Sequence, residues 1–278
     1  MTAEHDAETR RQRGLWSTTA RAWTRWADRM EAMAERFNRP LVEAVRVNPG
    51  ERALDLASGA GEPGITLARA LGPEGEAVLT DLALPMLQGA RRRADERGLA
   101  NIRFAVANAE ALGFGEASFH AVTCRFGLMF FPRPVVALCE SLRVLKPGGR
   151  AAYMVWGPRA DNPMFEISEA ALEEVLGPDP NPRDPFRFAA PGVVGEMFNE
   201  AGFAAVDEIE HRFERKAPLG EKFWQAGLEM GGGGRLENAS DALLEALDQS
   251  VQRRLEPYRA ADGYRLGAHI RIIVGRKP

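Results

Sequence analysis

Cysteine is scarce in this 278-residue chain: Cys124 and Cys139 are the only two. Two thiols build no disulfide framework, and neither has a partner at metal-ligand spacing, so a reducing compartment fits. Histidine is nearly as sparse. His5, His120, His211 and His269 stand apart from one another and from any other ligand at a metal-binding interval, so no metal site is expected. Long apolar runs are missing too; nothing reaches the roughly 18 residues a membrane-spanning helix needs. Nor is there an excess of one charge. The formal net charge of −3 gives no reason to expect nucleic acid as a partner. The one dense basic run, Arg91-Arg92-Arg93, falls in a helical stretch and reads as a solvated face. The opening MTAEHDAETRRQRG lacks the apolar centre of a secretory signal and reads as a frayed tail, which points to the cytoplasm.

What is present is the balance of an ordinary globular protein, 45% hydrophobic and 27% charged. Residues 15–47 carry few breakers, and Trp16, Trp23, Trp26, Met30, Met33 and Phe37 recur at helical steps, so one helix is expected there. The division expected is an N-terminal helical segment over residues 1–48 followed by one domain over 49–278. From residue 52 the pattern alternates. Apolar strands at 52–57, 76–81, 102–108, 120–126 and 150–156 are separated by helices opening at Pro63, at 85–98 and at 135–145, with Lys146-Pro147-Gly148-Gly149 as a turn before the fifth strand. Such alternation implies parallel strands joined by right-handed crossovers, hence an α/β fold with a Rossmann-like, doubly wound, mostly parallel sheet of seven strands. The last two strands, 204–217 and 267–276, lack the βαβ spacing and are expected to pair antiparallel at an edge. Helical insertions fall at about 157–190 and 219–258. The second contains Gly231 to Gly234, read as a flexible loop since no strand precedes it.

The chemistry sits in LDLASGAGEPG, residues 54–64. Gly59 and Gly61 allow a tight turn out of the first strand and a close approach to a ligand. Pro63 suits a first helical position, and the free amides there suit an anionic group. Read literally, residues 59–64 match the dinucleotide pattern GxGxxG, with Asp81 at the distance of a ribose-binding acid. Two acids speak against a dinucleotide: Glu62 inside the turn would repel a pyrophosphate, and Asp55 in the strand before it suits a cation. S-adenosyl-L-methionine carries an ammonium and a sulfonium, so the charges favour it.

Five segments then recur in a known order: LDLASGAGEPG, TDLALPML, ANAEALGF, RFGLMFFPRP and LRVLKPGGR. Together they make residues 51–156 resemble the class I S-adenosylmethionine-dependent methyltransferases, and most of all the ubiquinone and menaquinone biosynthesis branch. The resemblance implies that Asp55, Ala57 and the Gly59–Gly61 turn line the methionine end of the cofactor. It implies further that Asp81 accepts from the ribose hydroxyls, that Leu82, Asn108 and Ala109 flank the adenine, and that Arg125 and Phe126 lie near the transferred methyl. Ala57, where glycine is common in the family, and His120, where a strand-opening Asp is usual, depart from the pattern. The N-terminal helix is a candidate lid.

Each of these residues has a plainer reading. Asp55 as a solvated carboxylate, Asp81 as a helix cap, Asn108 as a turn residue and Arg125 as a surface charge remain open. So do two other functions, an NAD(P)-dependent oxidoreductase and a non-catalytic methyltransferase-like binding protein. The aromatics Phe130, Phe131, Trp156, Phe165, Phe186 and Phe188 serve core packing, with a remainder left for an apolar substrate pocket. The expected partner is a small apolar or aromatic methyl acceptor, methylated at carbon, oxygen or nitrogen. If that acceptor must lose a proton, His211 and Tyr153 are the candidate bases.

Overall fold

The computed structural model describes residues 3–236 and 238–278. Five strands follow the expected alternation: β1 (Arg52–Leu56), β2 (Glu76–Asp81), β3 (Ile102–Val106), β4 (Phe119–Arg125) and β5 (Leu145–Trp156). β6 (Ala204–Ala217), the short β7 (Arg259–Ala260) and β8 (Gly263–Arg276) complete a sheet ordered β3-β2-β1-β4-β5-β8-β6, with β7 beside β8. The first five are parallel; β8 runs antiparallel to both β5 and β6. The two late strands pair antiparallel at the sheet edge as expected, with β6 outermost and β8 next to it. The order reverses between β1 and β4, and at that switch point a crevice opens beyond the carboxyl ends of the strands.

Helices cover both faces, which is why the central strands are apolar on both sides. They are α1 (Ala3–Arg29), α2 (Glu31–Val45), α3 (Gly64–Leu71), α4 (Leu84–Glu96), α5 (Pro134–Val144), α6 (Pro163–Leu176), α7 (Val193–Glu200), α8 (Gln225–Gly232) and α9 (Asp241–Leu255). One core packs Leu54, Val122, Tyr153 and Phe198; the other packs Leu41, Ile65, Ala90, Met154 and Ile272. A third cluster, with Leu172, Trp224, Leu247 and Tyr264, ties α6, α8 and α9 to β8. The two expected insertions build it.

Several expectations are corrected. The frayed tail is helical from Ala3, with the side chains of Arg11 and Gln12 donating to Glu8; the side chain of His5 lies outside the described residues. The single helix over 15–47 is two, broken at Met30, because α2 turns to bury Leu41, Val42 and Val45 against the sheet. Lys146 to Gly149 belong to β5, as an irregularity in its register with β4. The glycine run is no loop either. It finishes α8 and begins a 3-10 turn, Gly233–Leu236, with Gly232 packed so closely on Leu236 and Leu172 that a methyl group would touch both.

Candidate active site

The loop after β1 turns through two left-handed residues, Ala57 at φ 52° and Gly59 at φ 51°. Asp81, at the end of β2, holds that turn. Its Oδ2 accepts from the Gly59 N–H and its Oδ1 from the Ala83 N–H, each at 2.9 Å. A carboxylate has about four acceptor sites, so both oxygens keep capacity for ribose hydroxyls. Burial raises the Asp81 pKa, against the pull of these backbone donors. No atom outside the loop lies within 4 Å of where a Gly59 methyl would stand, so the turn faces open space.

That space is a cavity of about 1150 Å³. Sites for one small ligand run roughly 300–1,000 Å³, so this one has room for a nucleoside cofactor and a second molecule. Ala57, Gly59, Asp81, Leu82, Asn108, Ala109 and Arg125 line it together. Asn108 also keeps its plainer role, its Oδ1 accepting from the Glu110 N–H at 3.0 Å.

Asp55 and Gly61 stand behind the wall. Asp55 is fully buried; its Oδ1 accepts from the Thr123 hydroxyl at 2.8 Å and its Oδ2 has no partner. Burial pushes its carboxyl up to about 7, against the lowering effect of that hydroxyl. Gly61 faces Ile65 and Ala90, where a methyl would come within 3.2 Å and 3.4 Å, so it serves helix packing and not ligand approach.

One expectation about charge fails. Arg93 is wholly buried, not solvated. It bonds Asp28 and Glu62 at 2.7 Å each and the Ala60 carbonyl at 2.7 Å. Glu62 in turn accepts from Asn38. The carboxylate of Glu62 is thus already shared between Arg93 and Asn38. Sequence reasoning missed the Arg93–Glu62 pair because the partners lie 31 residues apart, Glu62 in the turn before α3 and Arg93 within α4.

The opposite charge was also underweighted. Burial lowers the Arg125 pKa; its Nε is enclosed without a partner, and acids at Glu62 and Asp55 act on it only through space. The Arg125 guanidinium on the cavity lining matches the carboxylate of an amino acid, and the Asp55 carboxyl, buried behind the wall and coupled to Arg125 through space, suits its ammonium. The residues present therefore fit the methionine end of S-adenosylmethionine, and Asp81, Leu82, Asn108 and Ala109 fit its nucleoside.

The sequence profile of the ubiE/COQ5 methyltransferase family matches residues 28–169. The chain belongs to that family. It is an S-adenosylmethionine-dependent methyltransferase. A ubiquinone/menaquinone biosynthesis C-methyltransferase UbiE of Xanthomonas campestris is 33% identical over 204 residues, which cover 68% of this methyltransferase and 81% of the relative. A UbiE of Azotobacter vinelandii is 42% identical over 135 residues, covering 48% and 53%. The chain thus spans most of one relative and about half of others. Solved structures share the fold. A SAM-dependent methyltransferase from Aquifex aeolicus superposes with a TM-score of 0.52 at 14% identity, covering 87% of this chain and 89% of that one. Haemonchus contortus phosphoethanolamine N-methyltransferase 2, solved in complex with S-adenosyl-L-methionine, gives 0.54 at 19%, covering 87% and 52%.

The rest of the cavity in this methyltransferase is aromatic. Phe126, itself left-handed at φ 56°, lies flat on Trp156 with ring centroids 4.0 Å and planes 5° apart. Phe37 meets both edge-on at 6.0 Å, and Phe165 meets Trp156 at 4.9 Å. From α1, Trp16, Trp23 and Trp26 also line the cavity. The two candidate bases are elsewhere. Tyr153 is fully buried with its hydroxyl 2.7 Å from Ser141, and burial raises its pKa well above the usual value. His211 stacks parallel to Phe213 on β6. Neither lines the cavity. Among the described residues no helix is long and apolar enough to cross a membrane, and no cluster of ligands for a metal is found.

Proposed function

We propose that this methyltransferase acts on a small aromatic acceptor seated against Phe126 and Trp156. The observation that carries the reading is the half-buried aromatic wall, Phe37, Phe126, Trp156, Phe165 and Phe213, in the same cavity as Asp81 and Gly59. Half-buried rings facing one void leave apolar faces that a flat ligand covers.

S-adenosylmethionine, when bound, supplies a methyl group already activated on a sulfonium. The chain's own residues are left with binding, alignment and exclusion of water. Asp81 holds the ribose, Arg125 the amino-acid carboxylate, and the rings fix the plane of the acceptor. Alignment of this kind supplies about 7–11 kcal/mol of barrier lowering. No histidine or tyrosine lines the cavity among the described residues, so a base, where the acceptor needs one, would come from a lining carboxylate. In this reading α1 is a lid, since its tryptophans form one side of the chamber.

The test has two parts. Calorimetric titration of S-adenosylhomocysteine should show binding by the wild type, at least tenfold weaker binding by Asp81→Ala, and no uptake of NADH. Methyl transfer from labelled cofactor should then give product from hydroquinones, phenols or anilines and none from aliphatic alcohols and amines. Product from the aliphatic set alone would overturn the aromatic reading, and uptake of NADH in place of S-adenosylhomocysteine would return residues 59–64 to the dinucleotide class.

A further inference from the structure

Arginines stand around the aromatic wall in a pattern the transfer of a methyl group does not require. On β6, alternate residues face the cavity: Phe213 and Arg215 line it, while Arg212 and Glu214 point away. The outward pair is neutralised, Arg212 by Asp161 at 2.8 Å and Glu214 by Arg265 at 3.1 Å. Arg215 is not. Its guanidinium stacks 4.6 Å from the Phe223 ring and donates only to the Phe223 carbonyl, at 3.5 Å. Glu221 acts on it through space, and burial still lowers its pKa.

Arg36, from α2, comes to the same place. Its guanidinium lies 5.1 Å over the Phe213 ring and its Nη1 donates to the Glu214 carbonyl at 3.3 Å, between Phe213 and Arg215 in the chain. Among the described residues neither arginine makes an ion pair with a carboxylate. Phe213 then connects the pair to the acceptor wall, through Phe37 at 5.3 Å and on to Phe126 and Trp156. Along this line the order is Phe126 and Trp156, Phe37, Phe213 and then the Arg36 guanidinium.

We infer that the acceptor is an aromatic acid, a flat ring bearing a carboxylate, with the ring on Phe126 and Trp156 and the carboxylate on Arg36 and Arg215. The inference deepens the proposed function and rests on its placing of the acceptor in this cavity. Arg215 is partly drawn out of water without a counter-ion, a cost that a ligand carboxylate offsets, and the exposed Arg36 beside it adds a second guanidinium. Guanidinium is the group whose planar fork matches carboxylate oxygens two at a time, and one already stacked on a ring loses little freedom on binding. Neutral rings would leave both arginines as they are.

The test compares 2-naphthoate with 2-naphthamide, which has the same shape and no charge. Each is titrated into full-length protein saturated with S-adenosylhomocysteine. The naphthoate is expected to bind at least tenfold tighter than the naphthamide. In the Arg36→Gln/Arg215→Gln double variant that preference should fall to within about twofold, with the affinity for S-adenosylhomocysteine unchanged as the control for folding. Equal binding of the two probes by the wild type, binding of neither, or a preference that survives in the double variant would overturn the inference. Failure of the wild type to take up S-adenosylhomocysteine would instead remove the reading beneath it, so the two failures are distinguishable.

Discussion

Arg93 and Glu62 form an ion pair at 2.7 Å with almost no access to water, and this pair couples the cofactor loop to α4. Removing one member of a buried pair strands the other, at a cost of about 3–5 kcal/mol. Arg93→Met should therefore lower the free energy of unfolding by about that much in urea titrations. The Arg93→Met/Glu62→Gln double variant should recover most of the loss, since it buries no lone charge. A double variant no better than the single one would show that the bonds from Arg93 to Asp28 and the Ala60 carbonyl, not its pairing with Glu62, carry the stability.

Asp55 gives the fold a pH dependence with a definite sign. Its folded pKa, about 7, is raised by burial above the ordinary 3.8. Between those values the folded chain holds a proton that the unfolded chain has lost, so stability is full below the lower pKa and declines as pH rises through the window. Asp55→Asn should flatten that decline in unfolding measured from pH 4 to 8. An ammonium brought near the carboxyl favours its charged form, so if S-adenosylhomocysteine places its ammonium by Asp55, binding near pH 7 should release protons from wild type and fewer from Asp55→Asn. Calorimetry in buffers of different ionisation enthalpy reads this directly; equal release by the two proteins would exclude Asp55 as the source.

Much of the fold could be read from the sequence, because strand and helix periods, turn glycines and the order of five motifs are local. The cavity residues Gly59, Asp81, Leu82, Asn108, Ala109 and Arg125 were reachable for the same reason: each ends a strand or opens the loop after it. What could not be read depends on pairing across the chain. Arg93 looked like one of three surface arginines until α1 and the loop supplied Asp28 and Glu62. Tyr153 looked available until the close packing of α5 gave its hydroxyl to Ser141. Gly61 reads as a ligand-facing glycine in any motif, and only the position of Ala90 shows that a helix needs the room.

The methyl of Ala57 holds position 127 to glycine. A methyl on Gly127 would lie 2.7 Å from the Ala57 Cβ and 2.8 Å from the Cys124 sulfur. Gly127→Ala should destabilise the protein by about 1–3 kcal/mol, the usual range for overpacking. Adding Ala57→Gly removes one of the two clashes and a left-handed alanine as well. The double variant should then be more stable than the sum of the single changes predicts, a coupling that thermal or urea unfolding of all four proteins measures.

Helix α1 packs on α4 through a contact of the same type, and that makes its proposed role as a lid testable without deleting it. Gly89 on α4 faces Thr24, and a methyl there would fall 2.3 Å from the threonine hydroxyl oxygen. Gly89→Ala should push α1 outward while the sheet and its two cores persist. If α1 closes the chamber, affinity for S-adenosylhomocysteine should drop by about tenfold, equivalent to about 1.4 kcal/mol. Thr24→Ala takes away the hydroxyl and the methyl and leaves a tolerable 3.1 Å approach to its Cβ, so Thr24→Ala/Gly89→Ala should restore binding. An affinity unmoved by Gly89→Ala, with tryptophan fluorescence showing that α1 has shifted, would reduce the helix to a packing element and end its candidacy as a lid.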